Sequence, residues 1–455
     1  MTTHASMRVL VRHLSLCLTA FAIVPLSGCT SARPDLRVED SITQASLLDV
    51  PLTFRVEGAP VDEPFDQETL SFADATRLAI TTDTGLQASL AKVRIAMADA
   101  DQSRLLPNPV LNFVLRWGPG SPQIEVSLAQ NLIQVLQLER QASAADNRMR
   151  EVAADALAEA LDIVSEVQER YLAAQAMDRR VPALMQQAAL IDQLSGIAES
   201  RFELGEGTRS DLTTLQAQKV QLENEIATAV ENQRVQRVRL ARLIGEPSSS
   251  AEWALDDWFA PETVVLSERV WIETALVHRP EVQSMNWKLA ALGDDYALTR
   301  LMPWEGAELG MDAQSDSDWF AGPAISTPIP LFDQGKARKA RVNSEIIEAR
   351  HKLTSSMREI VEEVRLSYLN LSANSAQLDR VRGKLIPLLR ERLEQSERAY
   401  SAGLVSITEP FLAEQDLREM EMHAIEMERQ VSVSLVRLQR SVGGPAVAAS
   451  IVATP

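Results

Sequence analysis

Cysteine, aromatic residues, histidine and long apolar runs are all scarce in this chain, and each scarcity removes a class of protein. The 455 residues hold two cysteines, Cys17 and Cys29, so no framework of disulfides can carry the fold. Aromatics make up 5% of the sequence, which argues against an aromatic-rich sandwich or a catalytic domain with a large mixed core. His278, His351 and His423 are scattered singly, with no Cys or His partner at metal-ligand spacing. His278, just before Arg279-Pro280, reads as structural. No glycine-rich phosphate loop opens a helix and no Gly-x-Ser-x-Gly elbow occurs, so neither a nucleotide site nor a serine nucleophile is expected. The pair Asp256-Asp257, beside Trp253 and Trp258 in an irregular stretch, reads as part of an equatorial loop rather than a catalytic dyad. The expectation is a protein that is not an enzyme, with no metal and no cofactor.

Positive charge is also in deficit, 45 Lys and Arg against 63 Asp and Glu. That balance excludes a nucleic-acid binder, which needs clustered cations to displace counterions from phosphates. It is compatible with passing cations. Beyond residue 28 no apolar run approaches the ~20 residues of a transmembrane helix, so any membrane crossing must be made by β-strands.

Residues 1–28 are different in kind. They contain Arg8 and Arg12 but no acid, and Leu14–Leu26 is almost wholly apolar, the layout of a signal peptide. Leu26-Ser27-Gly28-Cys29 looks like a bacterial lipobox, in which Cys29 is lipidated and becomes the new N-terminus. An ordinary signal peptide with a chance cysteine is the other reading. Thr30 and Ser31 follow, and the absence of Asp beside the cysteine resembles lipoproteins sorted to the outer membrane. Removal of the leader takes the formal charge of −18 two further charges negative and leaves Cys29 as the sole cysteine.

What is present in abundance is internal repetition. A shift of roughly 196 to 198 residues superimposes the two halves, the signature of a duplicated unit. Arg104-Leu105-Leu106-Pro107 falls on Arg300-Leu301-Met302-Pro303, and Glu166-Val167 with Tyr171-Leu172 falls on Glu363-Val364 with Tyr368-Leu369. Gly205 with Asp211 falls on Gly403 with Glu409, and Ile244-Gly245-Glu246-Pro247 falls on Val442-Gly443-Gly444-Pro445.

Each repeat has one grammar. A first helix, about Phe72–Leu105 or Ser267–Leu301, ends at a proline that cannot continue it. Two strand-like segments follow, Val110–Trp117 and Gln123–Asn131 in the first repeat, Ala307–Gln314 and Trp319–Ile329 in the second. Turn signals at 118–122 and 315–318 separate them. Their length suits a tilted strand crossing a bilayer, ~9–11 residues. Four strands cannot close a barrel; if these hairpins are transmembrane, three chains must pool them into twelve, because a lipid-exposed edge would strand its backbone groups. The pattern then changes to a period of 3.5–3.6 over about 134–204 and 336–402. Leu157, Leu161, Val164 and Tyr171 mark it in one repeat; Met357, Val361, Val364, Tyr368 and Leu371 mark it in the other. About 70 helical residues span on the order of 100 Å, too long for a compact globule. Pro182 and Pro387 should bend these helices. Tight turns at Gly205-Glu206-Gly207-Thr208 and Gly403-Leu404-Val405-Ser406 reverse the chain into return helices ending at Ile244 and Val442.

Here the sequence resembles a known family. Pro328-Ile329-Pro330-Leu331-Phe332-Asp333-Gln334-Gly335, opening a long helix after a strand, looks like the signature after the last barrel strand of the TolC outer-membrane efflux proteins. His278-Arg279-Pro280-Glu281 is similar to that family's Arg-Pro-Asp/Glu. Leu106-Pro107-Asn108-Pro109 entering a strand, then Gln130 and Leu138-Glu139-Arg140, resemble its heavy-metal branch, the CzcC-like lipoproteins. The resemblance covers about residues 68–445. It implies a mainly α fold with a membrane β-barrel: four strands per chain, twelve in a homotrimer, continued by an α-helical coiled-coil tunnel.

The implied layout is a leader over 1–28, a tether over 29–66, repeats over 67–247 and 267–445, an equatorial linker over 248–266 and a frayed tail over 446–455. The implied function is passive conduction of heavy-metal cations or drugs through the outer membrane. Its implied partners are a periplasmic adaptor (membrane fusion protein), an inner-membrane pump of the resistance-nodulation-division type, and outer-membrane lipid around a lipid-anchored chain that extends into the periplasm. Gly205, Gly207, Thr208, Gly403, Val405 and Ser406 would form the adaptor-docking turns. Acids near the second reversal form rings in the family: Glu409 stands at one such place, Asp211 at the equivalent place of the first repeat, and Leu412 where a second Asp is often found. Glu409 and Asp211 are equally readable as helix-start acids complementing the dipole. Val405 stands where a basic gate partner would be expected. Pro107, Arg279, Pro280, Pro330, Leu331, Phe332, Asp333 and Gly335 are the family-motif residues, read as structural. A periplasmic coiled-coil scaffold or adaptor lipoprotein without a pore remains the alternative.

Overall fold

The computed structural model describes residues 37–56, 68–118, 122–205, 207–248, 251–258, 266–316, 318–406 and 408–453. The leader and Cys29 lie outside the described residues. In chain order α1 (Val38–Ala45) precedes the first repeat, which holds β1 (Thr69–Leu70), α2 (Phe72–Thr82), α3 (Thr84–Gln102), β2 (Val110–Arg116), β3 (Gln123–Asn131), α4 (Leu132–Glu203) and α5 (Arg209–Leu243). Between the repeats lies β4 (Ala254–Leu255); the second holds α6 (Glu268–His278), α7 (Pro280–Leu298), β5 (Glu308–Asp316), β6 (Asp318–Ser326), α8 (Lys336–Arg380), α9 (Ile386–Ser401) and α10 (Thr408–Ser441), and α11 (Pro445–Ala453) follows.

The single first helix expected in each repeat is two helices, broken at the equivalent place. Asp83 leaves the helical region with ψ 121°, and its carboxylate accepts from the Leu86 N–H at 2.7 Å, capping α3. Arg279 does the same with ψ 129°, because Pro280 bars the helical conformation to the residue before it. In the second repeat the strands extend into the expected turn: Asp316 pairs with Asp318, so Ser315 and Asp318 belong to the ladder. A π-helical turn, Val381–Leu385, separates α8 from α9. Pro387 lacks an N–H and its ring crowds the preceding turn, which a wider turn relieves. Pro182 sits inside α4, which stays helical through it.

The chain divides into two compact units, and the described part of one comprises Ile95–Arg150 and Trp287–Ala349. It contains a four-stranded antiparallel sheet in the order β2-β3-β5-β6. The Asp294 carboxylate ties α7 to α4 here: it accepts from Arg140 at 3.0 Å, Ser143 at 2.7 Å and Asn147 at 3.2 Å.

The other unit, Arg37–Arg94, Glu151–Asn286 and the described residues from Arg350 onward, holds two cores built from repeat-equivalent residues. Ala75, Ala79, Val167, Tyr171, Leu240 and Ile244 pack in one; Trp271, Ala275, Val364, Tyr368, Leu438 and Val442 pack in the other. Gly245 (φ +87°) would drive a Cβ into Thr82, and Gly443 (φ +110°) would drive one against the His278 carbonyl. The two glycines thus close the same crowded corner in each half. Parts of the expected tether (29–66) and tail (446–455) are packed. In α1, Val38 and Ile42 are buried, Leu52 is buried, and Arg94 pairs with Glu39 at 3.1 Å. Pro445 occupies the first turn of α11, which buries Ala448 against the second core.

Tyr171 joins three segments of this unit. Its hydroxyl donates to the Leu70 carbonyl at 2.8 Å and accepts from the Asp256 N–H at 2.9 Å. Asp256 also accepts from the Phe72 N–H at the start of α2, at 2.9 Å. It is a structural anchor in the irregular stretch. Burial holds the Tyr171 hydroxyl well above its ordinary titration range. Tyr171→Phe should leave a buried carbonyl and N–H without a partner, costing about 1–3 kcal/mol. A lower urea midpoint with unchanged slope, followed by circular dichroism, would register the loss; an unchanged midpoint would show that water replaces the hydroxyl.

Candidate functional site: an amphipathic sheet and two helix reversals

Strand alternation sends successive side chains to opposite faces of a sheet, and the register decides what each face presents. The cross-strand rows Phe113-Val126-Ala313-Ala321 and Leu111-Leu128-Met311-Pro323 lie on one side. Leu115, Ile124, Leu309 and Ile325 continue them, with Trp319 opposite Ser315 at one end. Asn112-Ser127-Asp312-Gly322 and Val114-Glu125-Gln314-Phe320 lie on the other side. There Arg116 pairs with Glu125 at 2.9 Å. One face is thus a band of aliphatic and aromatic side chains; the other carries most of the sheet's polar side chains, together with the row Val110-Ala129-Gly310-Ala324 and with Val114 and Phe320. Leu111, Phe113, Leu309, Met311 and Ile325 are exposed in the single chain, and β2 and β6 are the sheet's edges. Among the described residues no helix is long and apolar enough to cross a membrane.

The motif residues frame this sheet. The Gln130 amide donates to the Pro107 carbonyl at 2.8 Å, fixing the entry to β2. After β6, Asp333 accepts from the Gly335 N–H at 2.8 Å and pairs with Arg338 at 2.6 Å. Gly335 has φ +74°, and a Cβ there would press on the Pro303 ring at 3.1 Å, so any side chain would be strained. Pro330, Leu331 and Phe332 precede this anchor.

Arg279 and Pro280 lie in the helical unit instead, in a buried ion cluster. Arg279 donates to both Glu281 oxygens, at 2.9 and 3.1 Å, and to Glu363. Arg440 donates to Glu281 at 2.7 Å and to Asp162 at 2.6 Å, so α4 of the first repeat is held to α7 and α10 of the second. Burial alone would push the Glu281 carboxyl up. Hydrogen bonds from Arg279 and the charges of Arg440 and Arg279 outweigh it and hold the group down to about 2.

The two reversals are built alike. Gly205 (φ +76°) and Gly403 (φ +75°) take the left-handed conformation that ends α4 and α9. The Leu404 N–H donates to the Ala399 carbonyl at 2.9 Å and the Gly403 N–H to Tyr400 at 2.9 Å, a Schellman closure. Gly207 donates to the Arg201 carbonyl at 3.1 Å, and Thr208 precedes α5. Val405 is half-buried, and the Ser406 hydroxyl lies 3.0 Å from that of Thr408. Glu409 is exposed in the first turn of α10, with Leu412 exposed one turn on and Phe411 buried between them. No ion pair reaches Glu409 among the described residues. Asp211 falls in the first turn of α5, and its side chain lies outside what the structure describes.

Sequence reading missed the charges that flank this reversal. Arg392 pairs with Asp416 at 2.6 Å, Arg390 with Glu421 at 3.2 Å, and Arg418 with Glu414 at 2.9 Å and Glu421 at 3.1 Å. Deeper, the buried Glu428 is held by Arg179 at 2.6 Å and by Arg382. Arg179, Arg382, Arg390, Arg418, Glu421 and Glu428 line an open groove of about 380 Å³. Arg418 finds its acids three and four residues away on α10; the other partners are separated by tens to hundreds of residues, and spacing offers no signal for them. No group of three or more His, Cys, Asp and Glu placed to hold a metal occurs among the described residues.

Known proteins resemble this arrangement. Residues 271–444 match the family described as outer membrane efflux protein. No curated protein matches the sequence. Among solved structures the chain is similar to CusC, studied for its folding and transmembrane channel formation. The two are 14% identical, covering 86% of this chain and 98% of that one, with a TM-score of 0.67. It is similar to the outer membrane protein VceC of Vibrio cholerae, 15% identical over 82% and 96% of the two chains, TM-score 0.66. It is also similar to the open-state MtrE outer membrane channel of Neisseria gonorrhoeae, 15% identical over 87% and 96%, TM-score 0.65. At such identities the likeness is one of fold.

Proposed function

From a chain whose second repeat belongs to the outer membrane efflux protein family and whose fold is that of TolC-type channels, we infer a homotrimeric outer-membrane channel. The observation that carries this reading is the sheet, apolar on one exposed face and carrying most of its polar side chains on the other, with both edges open. Hydrocarbon can accept the first face, and a water-filled lumen the second. The edges need neighbours, since an unpaired strand edge is not tolerated in lipid. Three copies would supply a twelve-stranded barrel, and the long helices α4, α5 and α8 to α10 a tunnel in the periplasm. Cys29 would anchor each copy by lipid.

In this reading the channel is passive and energy comes from an inner-membrane pump of the resistance-nodulation-division type, reached through a periplasmic adaptor. The adaptor would dock at Gly205, Gly207, Thr208, Gly403, Val405 and Ser406. The cargo is heavy-metal or organic cations, including drugs. The exposed Glu409 side chains of three copies, with Asp211 and Leu412 nearby, would form a periplasmic constriction whose negative field favours cations. Conductance steps in planar bilayers, together with a three-chain mass in detergent, test the reading; a monomer that never conducts would end it in favour of a scaffold or adaptor. Glu409→Gln should lower cation preference, seen as a reversal potential closer to zero in a salt gradient. An unmoved potential would leave Glu409 only its helix-start role.

A further inference from the structure

The loop after β6 presents apolar side chains outward from an unusually fixed base. Phe332 is 100% exposed and Leu331 70%, with Ile329 exposed beside them. Yet the backbone is held: the Leu331 N–H donates to the Ile329 carbonyl at 2.8 Å, and Asp333 binds the Gly335 N–H and Arg338. An apolar finger held this way is left exposed by the described residues of its own chain.

Strand topology identifies the partner. Val110 opens β2 opposite Ala129, Gln130 faces Leu309, and Glu308 faces Ser326. The start of β2 and the end of β6 therefore lie at the same end of the sheet, on its two opposite edges. When copies join edge to edge, β6 of one meets β2 of the next in antiparallel sense. The residues leaving β6 must then run beside those entering the neighbour's β2. That entry carries the exposed Leu105, Leu106 and Val110.

We propose that Ile329, Leu331 and Phe332 of each copy form a seam latch that packs on Leu105, Leu106 and Val110 of the adjacent copy, a site incomplete in the single chain. The proposal rests on the trimeric reading above and adds to it the residues that lock each junction. A barrel staggers its strands by a fixed shear, so the facing residue falls within this short stretch rather than at one position.

Disulfide scanning in the full-length protein tests it. Phe332→Cys is combined in turn with Leu105→Cys, Leu106→Cys and Val110→Cys, in membranes under mild oxidation. Within one chain, β2 and β6 are three strand spacings apart, ~14 Å, beyond the ~7 Å that a disulfide can bridge. Any bond must then join two copies. At least one pair should shift the protein to the mass of three covalently joined chains on non-reducing denaturing gels, and reduction should return it to the monomer. Variants carrying only one of the two introduced cysteines, beside the native Cys29, should not shift. Native mass in detergent is read alongside. A three-chain mass with no inter-copy bond from any pair overturns the latch and leaves the trimer standing; a one-chain mass removes both. Reaction of the Phe332→Cys thiol with a lipid-dissolved maleimide, in place of disulfide formation, would place the finger in lipid and also overturn the latch.

Discussion

Glu281→Gln is expected to destabilise the helical unit by about 3 kcal/mol, from the effect of removing one partner of a buried ion pair. The reason lies in what remains behind. Arg279 and Arg440 keep only 7% and 10% of their side-chain surface exposed, and Glu281 is the one carboxylate both of them touch. Glu363 and Asp162 would each retain one arginine, so α10 would keep its tie to α4, but the Glu281 link between α7 and Arg440 of α10 would be gone. Glu281 itself is 30% exposed, which sets the expected cost at the lower end of the range for buried pairs. The urea midpoint of the helical signal measures it, and Glu281→Asp should recover part of it. A glutamine variant as stable as the parent would mean that hydrogen bonding, not charge, holds the junction. The pH dependence has a defined sign. The folded-state pKa is depressed from the ordinary 4.5 to about 2. The contribution is therefore fully present above about 4.5 and is lost as pH falls from there through about 2. Between those limits the parent should lose stability with acidification more steeply than the Gln variant.

Much of this architecture was legible in sequence because its signals are local. Proline and glycine punctuation aligned the halves, and the equivalent glycines Gly245 and Gly443 close equivalent corners. Apolar periodicity placed Tyr171, Val364 and Tyr368, and the alignment of the repeats added Val167, in what the structure resolves as two matched cores. Where the reading failed, polar residues served two purposes. Ser315 and Asp318 read as a turn, yet they continue the ladder at one end of the sheet: Asp318 falls on the side of Asp312 and Gln314, where a strand with one wet face carries polar residues, and Ser315 ends the apolar side opposite Trp319. The break before Pro280 was readable from proline's effect on its predecessor; its counterpart at Asp83 needed the side-chain cap. Pro445 is likewise a helix-start signal, and the apolar residues after it continue the helix. The ion pairs of Glu428 and the contact of Glu281 with Arg440 had no local signature, since charge carries no period and these partners come from other elements.

The strongest test of the membrane reading separates two neighbouring residues of β3. Val126 sits in the apolar row between Phe113 and Ala313; Ser127 sits in the polar row between Asn112 and Asp312. Val126→Arg should place a guanidinium in hydrocarbon near mid-strand, at a cost of roughly 2–4 kcal/mol per chain for a midplane cation on the lipid face of a barrel. Three copies meet that cost together in one trimer, so insertion should fail and the protein should leave the outer-membrane fraction. Ser127→Arg adds the same side chain one residue along, toward water and beside the Asp312 carboxylate. It should insert normally and show its effect as weakened cation preference. β3 is an interior strand, so neither change touches the edges where copies would meet. The contrast isolates the one physical requirement of the proposal, that the two faces of this sheet meet different solvents. Equal insertion of both variants would show that they do not.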